Sequence, residues 1–431
     1  MTLPPYFSYR DGTLHAEDVA LARIAQELGT PAFVYSRNAL RDAWQSYRQA
    51  MDGRDVLVCY GMKANSNLAV LNEFKTLGAG FDIVSGGELA RALAIGADPG
   101  RIVFSGVGKQ AWEMRAALDA GVKCFNVESE AELDRLADVA RAAGKIAPVS
   151  LRVNPDVDAL THPYISTGLK ENKFGIPIAD APAAYRRAAN EDSLRIIGVD
   201  CHIGSQITDA GPYLDSLEKL LALVDALKAL GIELEHLDLG GGLGIRYKDE
   251  TPLSPSALLS QVFQRLDAHG LDRIQLVLEP GRSLVGNAGI LLTTVQYLKH
   301  NEARNFAIVD AAMNDLVRPT LYDAWHGVVP VHQPSGGQHG GSGAGRDHAR
   351  QYDIVGPICE SGDWLARDRR LALEQGDLLA ILSAGAYSFA MSSQYNTRPR
   401  AVEIMVDHDQ YRVVRPREAL ASLFASETVW S

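Results

Sequence analysis

The residues of this chain best suited to chemistry stand at the ends of short apolar, β-branched runs. Lys63 lies in Tyr60-Gly61-Met62-Lys63-Ala64-Asn65, directly behind the run Val56–Tyr60. Asp82 and Ser85 mark the end of Phe81–Val84, Glu128 follows Cys124–Val127, and Asn154 follows Val149–Val153. His202 and Ser205 end Gly198–His202, Gly240-Gly241-Gly242 follows His236–Leu239, and Glu279-Pro280-Gly281-Arg282 follows Gln275–Leu278. A lysine partly withdrawn from water loses proton affinity and can form a Schiff base with an aldehyde. Glycines let backbone N–H groups approach an anion such as phosphate. Each residue also has a plainer reading. A lysine is usually solvated, a glycine run can be a tight turn, Ser205 can cap a helix, and a lone histidine is often structural.

The elements that must position these residues recur in a fixed pattern. The eight runs are Val56–Tyr60, Phe81–Val84, Ile102–Phe104, Cys124–Val127, Val149–Val153, Gly198–His202, His236–Leu239 and Gln275–Leu278. Between them lie stretches with apolar residues at three-and-four spacing, such as Glu130–Ala143 and Tyr213–Leu230, several ending at a glycine such as Gly78, Gly96, Gly144 or Gly231. Strands alternating with helices imply parallel pairing, and eight units in ~250 residues is the size of a closed (β/α)8 barrel. An open doubly wound sheet would carry a G-x-G-x-x-G turn after its first strand, and Gly61-Met62-Lys63-Ala64-Asn65 lacks that spacing. In such barrels the active site lies at the C-terminal ends of the strands, and the loops after strands seven and eight commonly bind phosphate. Those loops are the triple glycine and Glu279–Arg282.

After Pro280 the texture changes to strand-like runs without helices: Leu291–Tyr297, Phe306–Asp310, Tyr352–Val355, Leu378–Ile381, Ala401–Val406 and Tyr411–Val414. That reads as an antiparallel β-domain. The expected division is a barrel over 36–284 and a β-domain made of 1–35 and 285–431. The segment Gln333–Arg350, rich in Gly, Ser and His, reads as a flexible loop in which His339 and His348 do not make a metal site.

The 431 residues are 46% apolar and 22% charged, as in an ordinary soluble protein, and the length suits two domains. Lysine and arginine number 42 against 53 acidic residues, so the net charge of −11 argues against a nucleic-acid surface. The N-terminus lacks the basic start and apolar run of a signal peptide, and no stretch approaches a membrane span. Cys59, Cys124, Cys201 and Cys359 are scattered, with neither C-x-x-C nor metal-ligand spacing. A cytoplasmic protein with free thiols and no metal is the expectation.

A lysine for an aldehyde, a phosphate cradle and an acid for a pyridine nitrogen together describe pyridoxal 5'-phosphate as cofactor. Tyr60–Asn65, His202-Ile203-Gly204-Ser205-Gln206, Gly240–Gly244 and Glu279–Arg282 resemble the barrel-type pyridoxal-phosphate decarboxylases, which include diaminopimelate, ornithine and arginine decarboxylases. The resemblance runs from about Tyr35 to Arg400, with the motifs in family order. It implies that Lys63 forms the Schiff base, His202 stacks on the ring, and Asp82, Ser205, Gly241, Gly242, Gly281, Arg282 and Tyr387 touch the cofactor. Glu279 would bind the pyridine nitrogen and keep it protonated, which favours decarboxylation over racemisation.

Within the family, Cys359-Glu360-Ser361-Gly362-Asp363 and Met313–His326 are similar to the diaminopimelate branch. The similarity implies a homodimer in which Cys359 protonates the reacting carbon of the neighbouring subunit. Arg282, Arg318, Tyr322, Glu360 and Tyr387 would bind substrate, the arginines gripping a distal carboxylate and Glu360 a distal ammonium. Ornithine and lysine lack that carboxylate and would leave buried arginines unpaired. The expected reaction is meso-diaminopimelate to L-lysine and CO2. A decarboxylase of another basic or D-amino acid is the nearest alternative; a non-catalytic homologue would characteristically lose the lysine or cysteine retained here. Gly61, Met62, Gly286 and Ala312 depart from the residues common in the family, without removing a catalytic group.

Overall fold

A computed structural model describes residues 2–159, 162, 167–168, 172–333 and 349–430. His339 and His348 lie outside the described residues. The chain divides into two compact units, one of 42–245 and 251–284, the other of 1–41, 246–250 and 285–431.

The first unit is a closed parallel barrel. Its strands are β1 (Val56–Gly61), β2 (Gly80–Ile83), β3 (Ile102–Phe104), β4 (Cys124–Val127), β5 (Ala147–Asn154), β6 (Leu194–Asp200), β7 (His236–Asp238) and β8 (Gln275–Leu278). Each pairs in parallel with the next, and β8 closes on β1 through Leu276 with Val56 and Leu278 with Val58. The eight expected runs are these eight strands. The helices start where side chains satisfy their first N–H groups: Ser85, Ser129 and Ser254 accept from Glu88, Glu132 and Ala257. Such caps stabilise by about 1 kcal/mol each. Ser85 is therefore a helix cap. Gly121 and Gly144 end their helices in the left-handed region.

Strand pleat decides what fills the barrel. Side chains two residues apart share a face, and Leu57, Cys59, Val103 and Val277 form one apolar cluster. Continuing the same parity toward the C-terminal ends gives Asp82, Ser105, Asn126, Arg152, Asp200, Asp238 and Glu279, every one of them buried. The interior thus turns from apolar to charged within about one strand step of ~6.6 Å. His236 occupies the space left by Gly198, where a Cβ would come within 2.2 Å of its ring.

The second unit is built on a mixed sheet in the order Trp364–Leu371, Arg350–Val355, Asn305–Val309, Gly289–His300, Ala32–Ser36, Val402–Asp407, Gln410–Arg415. Most pairings are antiparallel, as expected, but Asn305–Val309 with Arg350–Val355 and Ala32–Ser36 with Val402–Asp407 are parallel. The second of these arises because the N-terminal segment supplies a strand from outside the β-rich run. Gly289–His300 is long enough to serve two neighbourhoods, pairing Ala32–Ser36 and Leu378–Ile381 early and Asn305–Val309 late. Phe33, Leu291, Val309, Ile354, Leu365 and Ile381 form its core.

Candidate active site

Lys63 follows β1 in a short 3-10 turn, and its Nζ donates to Asp82 Oδ2 at 2.7 Å. The lysine side chain remains 37% exposed while the aspartate is fully covered, so the ammonium faces solvent from a charged seat. The other oxygen of Asp82 is buried and accepts no hydrogen bond.

Glu279 ends β8 with its backbone N–H bonded to Gly240 O at 2.8 Å. Its Oε1 accepts from Ser105 Oγ and Asn126 Nδ2, each at 3.2 Å. Oxygens of Glu279, Asp200 and Asp238 all lie within 4.8 Å of one another. Burial drives all three carboxyls up, Asp238 to about 7; repulsion from Asp238 comes next for Asp200 and Glu279, while at Asp238 the Gly240 N–H works against the rise and the charge of Asp82 adds to it. Arg152, 3.2 Å from Glu128 and 3.9 Å from Asp200, and Lys63 are nearby cations. The barrel mouth therefore holds more carboxylates than cations, and the excess is accommodated as protons.

The triple glycine is sterically required. A Cβ on Gly240 would lie 2.7 Å from Cys201 O, on Gly241 2.1 Å from Glu279 O, and on Gly242 2.4 Å from Gly204 O. Gly240 and Gly242 also have φ of 67° and 102°. Gly241 donates its N–H to His202 Nδ1 at 3.1 Å, which makes that nitrogen an acceptor and the imidazole neutral. Burial, with Arg152 and Lys63 nearby, lowers the His202 pKa well below normal and keeps it so. Arg282 donates through Nε and Nη2 to Ser205 Oγ at 3.3 and 2.9 Å.

In the other unit, buried Arg318 is fixed on two sides. His326 Nε2 lies 2.8 Å from its Nη1, and His326 Nδ1 lies 2.8 Å from Leu382 O. The carbonyl requires an N–H at Nδ1, so Nε2 of a neutral imidazole accepts from the arginine. The Tyr247 ring lies under the guanidinium, 4.7 Å from its centroid. Cys359 is exposed and free, with its N–H bonded to Asn396 Oδ1 at 3.2 Å. Glu360 accepts from the Tyr395 hydroxyl. Asp363 closes the turn that carries both, accepting from Ile358 N and Met313 N at 2.7 Å. Tyr387 adopts φ of 55°, a costly conformation for an aromatic residue and one found mainly where function requires it.

Residues 37–286 match the family of pyridoxal-dependent decarboxylases through its pyridoxal-binding domain. The chain is 59% identical to a diaminopimelate decarboxylase of Pseudomonas aeruginosa, over 98% of this chain and 99% of that one, and 53% identical to that of Vibrio cholerae, over 98% and 99%. The crystal structure of a diaminopimelate decarboxylase from M. jannaschii in complex with L-lysine superposes with a TM-score of 0.92 at 35% identity, covering 99% of each chain. That of the Helicobacter pylori enzyme with L-lysine gives 0.88 at 41%, covering 94% of this chain and 99% of that one. The chain belongs to the diaminopimelate decarboxylase family.

As a member of that family it uses pyridoxal phosphate, and the barrel fits this group. It offers an amine at Lys63, a carboxyl at Glu279, and at Gly240–Gly242 a backbone that tolerates no side chain. The structure brings Lys63 to Asp82, Ser205 to Arg282 and His202 to Gly241, all within the barrel. Arg318, Tyr322, Cys359, Glu360 and Tyr387 belong to the other unit. Sequence reasoning missed Ser105, Asn126, Arg152, Asp200 and Asp238. Their signal was parity, since each falls an even number of residues from an interior position of its own strand. Tyr247 and His326 carried no periodic signal.

Proposed function

We propose that this diaminopimelate decarboxylase family member converts meso-diaminopimelate to L-lysine and CO2 in the cytoplasm, as a homodimer that binds no nucleic acid. What carries the reading is full-length similarity to diaminopimelate decarboxylases in a chain that keeps Lys63 on Asp82 and a buried, braced Arg318. Lys63 would hold the cofactor aldehyde and Glu279 its ring nitrogen. His202 would lie against the ring, and Ser205, Gly241, Gly242, Gly281, Arg282 and Tyr387 would bind the phosphate end. Bound pyridoxal phosphate supplies an electron sink for the pair left behind when the carboxylate departs as CO2.

The chain's own groups do the rest. Neutral His202 presents a flat, uncharged face, because its Nδ1 accepts from Gly241. Arg318 binds the distal carboxylate through a planar fork that His326 and Tyr247 have already oriented, so little freedom is lost on binding. Glu360, fixed by Tyr395, pairs with the distal ammonium, while Arg282 and Tyr322 supply further donors to substrate. Cys359 Sγ carries the proton for the reacting carbon of the neighbouring subunit. Its exposure on the isolated chain suits a residue that serves another molecule.

The test is CO2 release by pyridoxal-phosphate-loaded protein offered meso-diaminopimelate, L-lysine, L-ornithine and L-arginine. Release from diaminopimelate alone, with L-lysine as product, is expected, and preference for ornithine or arginine overturns the substrate. Mixing K63A with C359A protein tests sharing between subunits. The mixture should recover about a quarter of wild-type activity if each site takes its lysine and cysteine from different subunits and subunits pair randomly.

A further inference from the structure

Glu279 is surrounded by groups that oppose its charge. Asp82, Asp200 and Asp238 face it from β2, β6 and β7, and only Lys63 offsets them among its principal electrostatic neighbours. Arg152 is engaged by Glu128 and Asp200, and the buried thiols of Cys59 and Cys124 add no positive charge. Left alone, such a carboxyl would keep its proton.

Two donors work the other way. The Ser105 hydroxyl and one N–H of Asn126 both point at Glu279 Oε1, and the second N–H of Asn126 goes to Ser105 Oγ at 3.1 Å. One hydroxyl proton and two amide protons thus all find acceptors within a single triangle. The amide cannot be reversed without setting its oxygen against Glu279. Its Oδ1 is instead held by the Cys124 thiol at 3.2 Å. The backbone is anchored too, since Asn126 O accepts from Lys109 Nζ at 2.7 Å, and that buried lysine also binds Gly106 O and Glu132. Neither Ser105 nor Asn126 is more than 2% exposed, so water cannot replace these donors. Hydrogen bonds of this kind are stronger to a carboxylate than to a carboxylic acid.

We propose that Ser105 and Asn126 are positioning residues for decarboxylation, donating into one oxygen of Glu279 so that it stays ionised and its other oxygen serves the cofactor's ring nitrogen. The inference rests on the assignment of Glu279 to that nitrogen. With pyridoxal phosphate bound, an ionised Glu279 would keep its ring nitrogen protonated, and removing the donors would favour the proton on Glu279 instead. The chemistry weakens while substrate binding does not.

The test compares holoenzymes S105A, N126A, the double variant and E279Q, measuring kcat and KM for meso-diaminopimelate, the pH titration of the cofactor's visible absorbance, and Tm. The double variant should lose on the order of 10- to 100-fold in kcat, with KM within about threefold of wild type. Its absorbance titration should move by roughly one pH unit, and each single variant should show part of both changes. A double variant with lowered Tm but wild-type kcat and titration would overturn the proposal and leave the two residues merely structural. If the double variant fails to fold, S105A, which removes one hydroxyl, decides on the same readouts. E279Q separates the two levels of the argument. If it too matches wild type, the assignment of Glu279 is wrong and the inference falls with it. If E279Q alone loses rate and shifts the spectrum, only the roles of Ser105 and Asn126 are refuted.

Discussion

The two units solve the same problem, holding polar groups still, by different means. In the barrel, the polar side chains around Glu279 sit on strand positions of fixed parity, and their charges are buried among one another. In the β-unit, they sit on connections between strands, the short helix Arg318–Tyr322 and the turns that carry Cys359, Glu360 and Tyr387, held by side-chain-to-backbone bonds such as Asp363 to Ile358 N and by left-handed residues such as Asp323, Tyr387 and Asn396. Strands fix geometry to a few tenths of an ångström and permit little variation. Turns accept replacement without unfolding a sheet. Under the proposed division of roles, the barrel holds the cofactor, Arg318 and Glu360 of the β-unit choose the amino acid, and Cys359 is the β-unit residue that serves the reaction. Substitutions at Lys63 or Cys359 should then depress the rate, whereas substitutions at Arg318 or Glu360 should weaken recognition of the distal groups.

The sharpest case is Lys63. K63A should reduce CO2 release from meso-diaminopimelate by roughly 10^4-fold or more and leave protein that does not retain the cofactor's visible chromophore on desalting. Loss of both rate and chromophore supports the division. A variant that keeps the chromophore and the rate breaks it.

Arg318 probes the other side. R318M should lower kcat/KM for meso-diaminopimelate by about 10^2- to 10^3-fold, because a carboxylate would enter a pocket that no longer pairs it. Inhibition by the product L-lysine, which has no distal carboxylate, should not weaken. Steady-state kinetics on meso-diaminopimelate with and without L-lysine checks this, and an equal loss on the two would mean that Arg318 does more than bind the distal carboxylate.

How much of this was legible follows from the same contrast. The barrel could be read because its strands recur with one period, and strand ends could be located by counting. The interior beyond those ends was lost because Ser105, Asn126 and Asp200 look like interruptions of apolar runs. Only the pleat reveals that they point toward Glu279. In the β-unit, Trp364–Leu371 escaped because Arg367, Asp368, Arg369 and Arg370 hide its alternation, and Asp368 breaks the ladder with φ of 58°. Tyr247 lies in a loop closed by Glu250, which accepts from Tyr247 N and Lys248 N. No local pattern announces that its ring will support Arg318. Contacts made by turns depend on tertiary placement, which a single sequence carries only implicitly.

His326 gives a graded version of the Arg318 experiment. H326F keeps an aromatic of similar breadth but removes the acceptor of Arg318 Nη1 and the donor to Leu382 O. A loss of about 1–2 kcal/mol in orienting the guanidinium corresponds to roughly 5- to 30-fold. It should appear mostly in KM for meso-diaminopimelate, with kcat nearly unchanged. A fall in kcat with constant KM would place His326 among the groups that assist the reaction and blur the division between the units.

The smallest effect concerns stability and isolates the buried charge of the barrel. Asp238 has a folded pKa of about 7 against an ordinary value of 3.8, chiefly because burial disfavours its charge. Between those two pH values the folded protein holds a proton that the unfolded chain has released. Stability from this group is therefore full below about pH 4, declines as pH rises, and is lost above about pH 7. D238N carries no proton to lose, and its amide oxygen can still accept from Gly240 N, as Asp238 Oδ1 does at 2.8 Å. Relative to wild type, the variant should gain a few degrees in Tm at pH 8.5, less than half of that at pH 5, and little or nothing at pH 4. Because Asp200 shares the same excess of protons, part of the gain should be taken up by its own titration, so the difference should grow gradually across the range. A difference in Tm that stays constant from pH 5 to 8.5 would mean that Asp238 is ionised throughout and that the carboxylates at the barrel mouth do not share protons.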